Sequence, residues 1–239
     1  MKKFAVFDVD GTLIRWQLYH AVAEALAKGG LLDPKTHQTI RDARMLWKKR
    51  THADAFKTYE KRLIEAYDRL ITQLTPTQME KAANTVFNEY KDQVYTYTRD
   101  LIASLQAKNY FLLAISGSQT EIVDKIAKHW GFSDWVGSRY VQKNGRYTGA
   151  KIVASADKAA VLDKLVKKHQ LTYAGSIAVG DSASDIKMLE IVETPIAFNP
   201  EENLFNHAKK HGWKIVVERK NVVYQLETDN GKYQLVKTG

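Results

Sequence analysis

Phe4-Ala5-Val6-Phe7-Asp8-Val9-Asp10-Gly11-Thr12-Leu13 decides how this chain is read. An apolar run of β-forming residues closes on two carboxylates one residue apart, and a Gly-Thr follows at once. In a strand, alternate side chains share a face. Asp8 and Asp10 therefore converge only if the chain keeps them close as it turns away, and Gly11 supplies the backbone freedom for that turn. Taken alone, an apolar run ending in Asp-Gly describes a surface hairpin turn equally well. Later features separate the two readings: Ser116 after one apolar run, Lys158 at the start of a helix, and Asp181 with Asp185 after another apolar run.

Beyond Leu13 the periodicity becomes helical, and no convincing strand pattern occurs between Ile14 and Tyr95. Ala21, Val22, Ala25 and Leu26 fall at the spacing of an apolar helical stripe, closed by Gly29-Gly30. Further helices are expected over 36–47, over 53–70, and from Thr75-Pro76 through Tyr90, with Thr75 as cap and Pro76 in the first turn. This block, residues 15–96, reads as an inserted helical cap domain, leaving 1–14 and 97–239 for the core. From Thr98 onward helices alternate with apolar strands at 110–115, 175–179 and 195–198. A hairpin is expected around Lys143-Asn144-Gly145, between 139–142 and 146–148. The tail from Trp213 reads as a strand at 214–218 plus a hairpin turning at Asp229-Asn230-Gly231, which would extend the sheet edge or pair with another copy. The class is α/β, with a mostly parallel sheet between helices. In such sheets ligands bind past the carboxyl ends of the strands. Asp8, Ser116 and Asp181 each stand at such an end, so a parallel sheet would gather all three at one edge.

Composition bounds the function. Apolar residues make up 44% and charged residues 26% of 239, an ordinary globular balance. No apolar run approaches the roughly 20 residues of a membrane span, and Met1-Lys2-Lys3-Phe4 passes into the first strand instead of a longer signal-peptide stretch. With no Cys, disulfides and thiolate metal sites are excluded. A cytoplasmic location is expected. The net charge of +9 invites a nucleic-acid reading. Against it, basic residues mostly alternate with acids at helical spacing, as in Lys57-Thr58-Tyr59-Glu60-Lys61-Arg62, which describes a solvated face. The seven His residues share no spacing and read as solvated or packed.

Asp8-x-Asp10-x-Thr12, Ser116 in Ile115-Ser116-Gly117-Ser118, Lys158 in Ala156-Asp157-Lys158-Ala159, and Gly180-Asp181-Ser182-Ala183-Ser184-Asp185 occur in that order. As a set they resemble the four motifs of the haloacid dehalogenase superfamily of phosphotransferases, with its Rossmann-like core. That resemblance implies a Mg²⁺-dependent phosphatase acting on a small phosphorylated metabolite. Asp8 would attack phosphorus and form an aspartyl phosphate. Asp10 would protonate the departing oxygen and later take a proton from water, its pKa raised by the neighbouring carboxylate. Ser116 would donate to a phosphate oxygen, with Thr12 and Gly117 beside the substrate, while Lys158 would neutralise another oxygen and hold Asp8 ionised. Lys151 and Lys164 are the nearby alternatives to Lys158, which is preferred for its place in the first helical turn and its spacing of 23 residues before Asp181. Asp8, Asp181 and the main-chain carbonyl of Asp10 suit octahedral oxygen ligation of Mg²⁺, with Asp185 on a metal water or on Lys158. Zinc is a poor alternative without Cys or a spaced His pair.

A helical insert between the first two motifs matches the cap-one class (C1) of the superfamily, and within it the chain resembles the phosphoserine-phosphatase-like branch over about residues 1–211. Two departures stand out. Gln17 occupies the region where that enzyme has a Glu for the substrate amine, and Ser184 replaces the usual Asn before the last acid. Arg15, Gln17, Tyr19, Arg44 and Arg50 are the expected specificity residues near the entrance. A phosphotransferase or phosphomutase of the same fold, or a binding module for a phosphorylated ligand or nucleic acid, are the alternatives, though a binder has no need of the Asp-x-Asp pair. A receiver domain phosphorylated on Asp fits poorly with a nucleophile on the first strand. Either a monomer or a homodimer fits the sequence.

Overall fold

The computed structural model describes residues 1–50, 52, 54–229 and 232–238. Strand β1 (Lys2–Phe7) is followed by four helices, α1 (Leu18–Lys28), α2 (Pro34–Lys48), α3 (Ala55–Ile71) and α4 (Pro76–Tyr90). Then come α5 (Thr96–Ala107), β2 (Phe111–Gln119), α6 (Thr120–His129), β3 (Asp134–Lys143), β4 (Arg146–Ile152), α7 (Lys158–Lys168) and β5 (Leu171–Gly180). The chain ends with α8 (Ile186–Glu190), β6 (Thr194–Phe198), α9 (Glu202–His211), β7 (Lys214–Arg219), β8 (Val222–Asp229) and β9 (Lys232–Thr238). The sheet order is β4-β3-β2-β1-β5-β6-β7-β8-β9. Pairs from β3 through β7 are parallel, and both ends finish in antiparallel strands.

β1 is central because both of its faces are apolar and covered. Phe4 and Val6 join a core with Leu113, Leu162 and Met188, whereas Ala5 and Phe7 join a second core on the opposite face. That second core runs without a break into the four-helix insert, through Leu63, Tyr67, Met79 and Val86. Local sequence sets the helix starts. Asp33 accepts from Thr36 N ahead of Pro34, and Thr75 with Gln78 forms a capping box ahead of Pro76. The chain enters and leaves the insert through paired segments: Arg15 N donates to Gln93 O at 2.8 Å and Tyr95 N to Leu13 O at 3.0 Å.

Several strands differ from expectation: β5 begins at Leu171, four residues before the expected start at 175, and β4 runs on to Ile152. β2 does not stop at Ile115. Its pairing with β3 shifts register between Ile115 and Gln119, so Ser116-Gly117-Ser118 lies in an irregular stretch. β3 begins at Asp134, where its first half runs parallel to β2 before the second half enters the expected hairpin with β4. Gly137 hides that first half from a pattern search, yet a Cβ there would meet Thr120 Cα at 2.8 Å, so close packing requires a glycine. The tail extends the sheet edge, as one of its two expected arrangements. The expected turn residues Asn230 and Gly231, and the expected helix start at Ala53, lie outside the described residues. Among those described, no helix is long and apolar enough to cross a membrane.

Candidate active site

β1 lies where the chain reverses its direction of travel across the sheet, with β2 and β3 on one side and β5 to β7 on the other. Such a reversal opens a crevice at the strands' carboxyl ends. A cavity of about 650 Å³ sits there, lined by Asp8, Asp10, Gly117, Ser118, Lys158 and Asp181 from the core and by side chains of the insert.

Lys158 is the hub. Its Nζ donates to Asp8 Oδ1 and to Asp185 Oδ1, both at 2.6 Å, and the side chain is only 2% exposed. Burial alone would lower its pKa, but the carboxylates of Asp185 and Asp8 more than offset this and hold the ammonium charged. Asp157 caps the helix by accepting from Ala160 N, which aims the first-turn Lys158 inward. Asp8 keeps its other oxygen, Oδ2, buried and without a partner. Burial, opposed by Lys158 and reinforced by Asp185 and Asp10, pushes the Asp8 carboxyl up to about 7. Burial and the Asp8 charge raise Asp181 as well.

Asp185 faces Lys158 with one oxygen. The other accepts from Asp181 N at 3.1 Å, Ser182 N at 3.0 Å and Ser182 Oγ at 3.0 Å. Both oxygens are thus committed to holding the loop and the lysine. Gly11 has φ +81°, and a Cβ there would overlap Asp181 Oδ2; only glycine lets the two loops approach.

Asp10 collects donors from three directions. Ser116 Oγ donates to its Oδ2 at 2.6 Å, Ser118 Oγ to its Oδ1 at 2.9 Å, and Leu18 N to Oδ1 at 2.5 Å. Burial raises its pKa, while these hydrogen bonds pull it down.

A divalent cation fits this donor set. One oxygen each from Asp8, Asp181 and Asp185 lies within 4.8 Å of the others; the orphaned, buried Asp8 Oδ2 is free to ligate, whereas Asp185, expected as a ligand, already has both oxygens committed to Lys158 and the loop. One ammonium faces four carboxylates, so the cluster lacks positive charge.

Asp8, Asp10, Ser116, Lys158, Asp181 and Asp185 are thus brought together from positions up to 177 residues apart in the sequence. Arg15, Gln17, Tyr19 and Gly117 also line the cavity. Ser116, Thr12, Arg44 and Arg50 do not. The Ser116 hydroxyl is turned onto Asp10, so reaching a phosphate oxygen requires a change of rotamer. The Thr12 side chain is fully buried. Arg44 lies over the Trp16 ring at 4.9 Å, because the apolar face of α2 turns it toward that stack. Arg50 is exposed just past the end of α2, at φ +52°. Of the alternatives to Lys158, Lys151 lines the cavity but is held by Asp68 at 2.6 Å, and Lys164 does not line it.

Sequence reasoning missed several wall residues. Ser118 was legible as the second Ser of Ser-Gly-Ser. His20, Trp47, Phe56, Glu60 and Tyr140 carry no motif, and only the packing of insert on core brings them to the cavity. His20 is buried against Tyr59, with ring centroids 4.9 Å apart.

Fold and site together define a hydrolase built for phosphate chemistry at a carboxylate-rich strand edge. The family model for haloacid dehalogenase-like hydrolases matches residues 5–190; the chain belongs to that family, in its phosphoserine-phosphatase-like branch, and is an enzyme of the phosphatase type. It is 25% identical over 225 residues to a histidinol-phosphatase of Neisseria meningitidis serogroup C, covering 90% of this chain and 99% of that one. It is 24% identical over 206 residues to a phosphoserine phosphatase of Archaeoglobus fulgidus, covering 85% of this chain but only 54%, about half, of that protein's length. A solved phospho-aspartyl intermediate analogue of phosphoserine phosphatase shares the fold, with TM-score 0.61, 21% identity, and coverage of 92% of this chain and 95% of that one.

Proposed function

We propose that the protein hydrolyses a small phosphomonoester in two displacements through an aspartyl phosphate on Asp8, with Mg²⁺ as cofactor. The observation that supports this most directly is the buried ion pair that holds Asp8 at the cavity floor, with Asp10 two residues on and Asp181 facing it.

Asp8 attacks phosphorus as the bond to the alcohol oxygen breaks, and Asp10 gives that oxygen its proton. A water then attacks the phosphoryl group, Asp10 takes its proton, and inorganic phosphate leaves with Asp8 regenerated. Lys158 holds Asp8 in place and favours its ionised form before the attack and after the phosphoryl group has left. Ser116, Ser118 and the main chain around Gly117 donate to the phosphoryl oxygens, the two hydroxyls after leaving Asp10. Mg²⁺, held by Asp8, Asp181 and the main-chain carbonyl of Asp10, would neutralise phosphate oxygens and the crowded carboxylates. Asp185 acts on it indirectly, by orienting Lys158 and the Asp181 loop.

The four helices of residues 15–96 serve as the cap, and the substrate is a small cytosolic metabolite phosphate. Phosphoserine and histidinol phosphate, the substrates named for the two relatives, head the test panel. Purified protein should release phosphate from p-nitrophenyl phosphate with Mg²⁺ and not with EDTA, and Asp8→Asn should abolish the release. A broad phosphomonoester panel with no turnover in the presence of Mg²⁺ would refute the reading.

A further inference from the structure

The wall of the cavity contributed by the insert carries an unmatched negative charge. On α3, Phe56, Glu60 and Ile64 recur every fourth residue, so one helical face presents all three to the cavity. Trp47 packs on this face, its ring 5.0 Å from Phe56 and stacked on Tyr59 at 5.6 Å. His20 and Trp16 complete an aromatic wall.

The cationic side chains that line the cavity are engaged elsewhere. Lys158 is held by Asp8 and Asp185, Lys151 by Asp68 at 2.6 Å, and Arg15 lies over the Tyr95 ring at 5.2 Å. Among the described residues no cation is within ion-pair distance of Glu60. A second carboxylate, Glu201, lines the same cavity from the core side. Burial and the Glu201 charge both raise the Glu60 pKa, which is the behaviour of a half-buried acid lacking a positive neighbour.

An aromatic wall next to an unpaired carboxylate is the chemistry that receives an organic cation, through ring faces and through charge. The same two acids repel a carboxylate on the ligand, and such a repulsive element sharpens selectivity as much as an attractive one. We propose that Glu60, with Trp47 and Phe56, seats the alcohol portion of the substrate, and that this alcohol carries a cationic nitrogen on an apolar or aromatic body: the ester of an amino alcohol, not of an amino acid. This rests on the phosphatase reading and adds the substrate class. It also moves amine recognition from the Gln17 region to the helix of the insert.

Matched esters test it. With Mg²⁺, kcat/KM for phenylalaninol phosphate is compared with that for 3-phenylpropyl phosphate, which lacks only the amine. The wild type should prefer the aminated ester at least tenfold, chiefly through KM. The ratio should approach one in Glu60→Gln and recover in part in Glu60→Asp. A wild-type ratio near one, or the same ratio in wild type and Glu60→Gln, overturns the proposal. Phosphoserine turned over as well as phenylalaninol phosphate overturns the exclusion of amino acids. Hydrolysis of p-nitrophenyl phosphate and its loss in Asp8→Asn report on the phosphatase reading separately. If no ester turns over, tryptophan fluorescence, with Trp47 in the wall, decides the matter by titration with phenylalaninol and with 3-phenylpropan-1-ol. Tighter binding of the amine by tenfold or more, lost in Glu60→Gln, supports the seat; equal binding refutes it.

Discussion

The charge imbalance at the cavity floor should make the metal-free protein weaker as pH rises. Asp8 titrates at about 7 in the fold against 3.8 for an unperturbed carboxyl. Over that interval the native state keeps a proton that the unfolded chain has released. Stability from this group is therefore fully present below about pH 4 and is lost as pH climbs to 7. About three pKa units at 1.36 kcal/mol each give roughly 4 kcal/mol in total, of which about 3 kcal/mol falls between pH 5 and pH 8. Asp10 and Asp181, also raised, act in the same direction. Asp8→Asn mimics the protonated state, so comparison with it cancels the titration of groups elsewhere. In EDTA, the melting temperature of Asp8→Asn minus that of the wild type should grow by roughly 6–12 °C from pH 5 to pH 8, at 2–4 °C per kcal/mol for a chain of this size. At pH 8, Mg²⁺ should raise the wild type and leave Asp8→Asn almost unchanged. A difference that stays flat with pH, or an equal response of both proteins to Mg²⁺, would refute the reasoning.

His20 should act with the opposite sign. Burial, with a smaller contribution from Arg44, lowers its pKa from 6.5 to about 3, so the unfolded chain protonates first and stability falls as pH drops below 6.5. His20→Phe should shift acid unfolding, followed by circular dichroism, to lower pH; an unchanged midpoint would show that the ring is not buried neutral. Lys158→Met leaves buried acids without their counter-ion and should cost about 3–5 kcal/mol in EDTA and about 10²–10³ in kcat. Chemical denaturation and steady-state kinetics measure the two effects, and a variant within twofold of wild-type kcat would remove Lys158 from its assigned role. Gly11→Ala should lose roughly 1–3 kcal/mol from its strained backbone and its collision with Asp181. It should also need more Mg²⁺ for a given melting-temperature gain, and an unaltered Mg²⁺ titration would contradict that close approach.

Most of the candidate site's floor was legible in the sequence because its acids and Ser116 follow apolar strands, and a parallel sheet brings strand ends together whatever lies between them. Asp8, Ser116 and Asp181 needed only that rule. Lys158 needed one more, the inward aim of a first-turn residue behind the cap at Asp157. The walls follow no comparable rule. Arg44 and Arg50 looked suitable by charge, but a helix face is chosen by its apolar stripe: Ile40 and Ala43 go inward, Arg44 is drawn onto Trp16, and Arg50 falls beyond the helix end. Glu60 looked like one member of an alternating, solvated run. Its face became a cavity wall only because Phe56 and Ile64 flank it at helical spacing and Trp47 of α2 packs beside it. β3 was half hidden for a similar reason, since the glycine that breaks its pattern is the one its packing requires.

The insert is also wired to Asp10. Leu18 N, at the start of α1, donates to Asp10 Oδ1, and Tyr19 N donates to the Ser118 hydroxyl that itself reaches Asp10 at 2.9 Å. Both amides belong to the first turn of a helix, whose N-terminal dipole favours the ionised carboxylate. On the other side of the cavity, Asp68 of α3 accepts from Tyr140 at 2.9 Å and from Lys151 at 2.6 Å, tying the same insert to the β3–β4 hairpin. A displacement of the helices that breaks the α1 contacts would remove donors that pull the Asp10 pKa down against burial. The Asp10 pKa and the seating of α1 against the core are therefore coupled through two main-chain N–H groups, Leu18 N directly and Tyr19 N by way of the Ser118 hydroxyl.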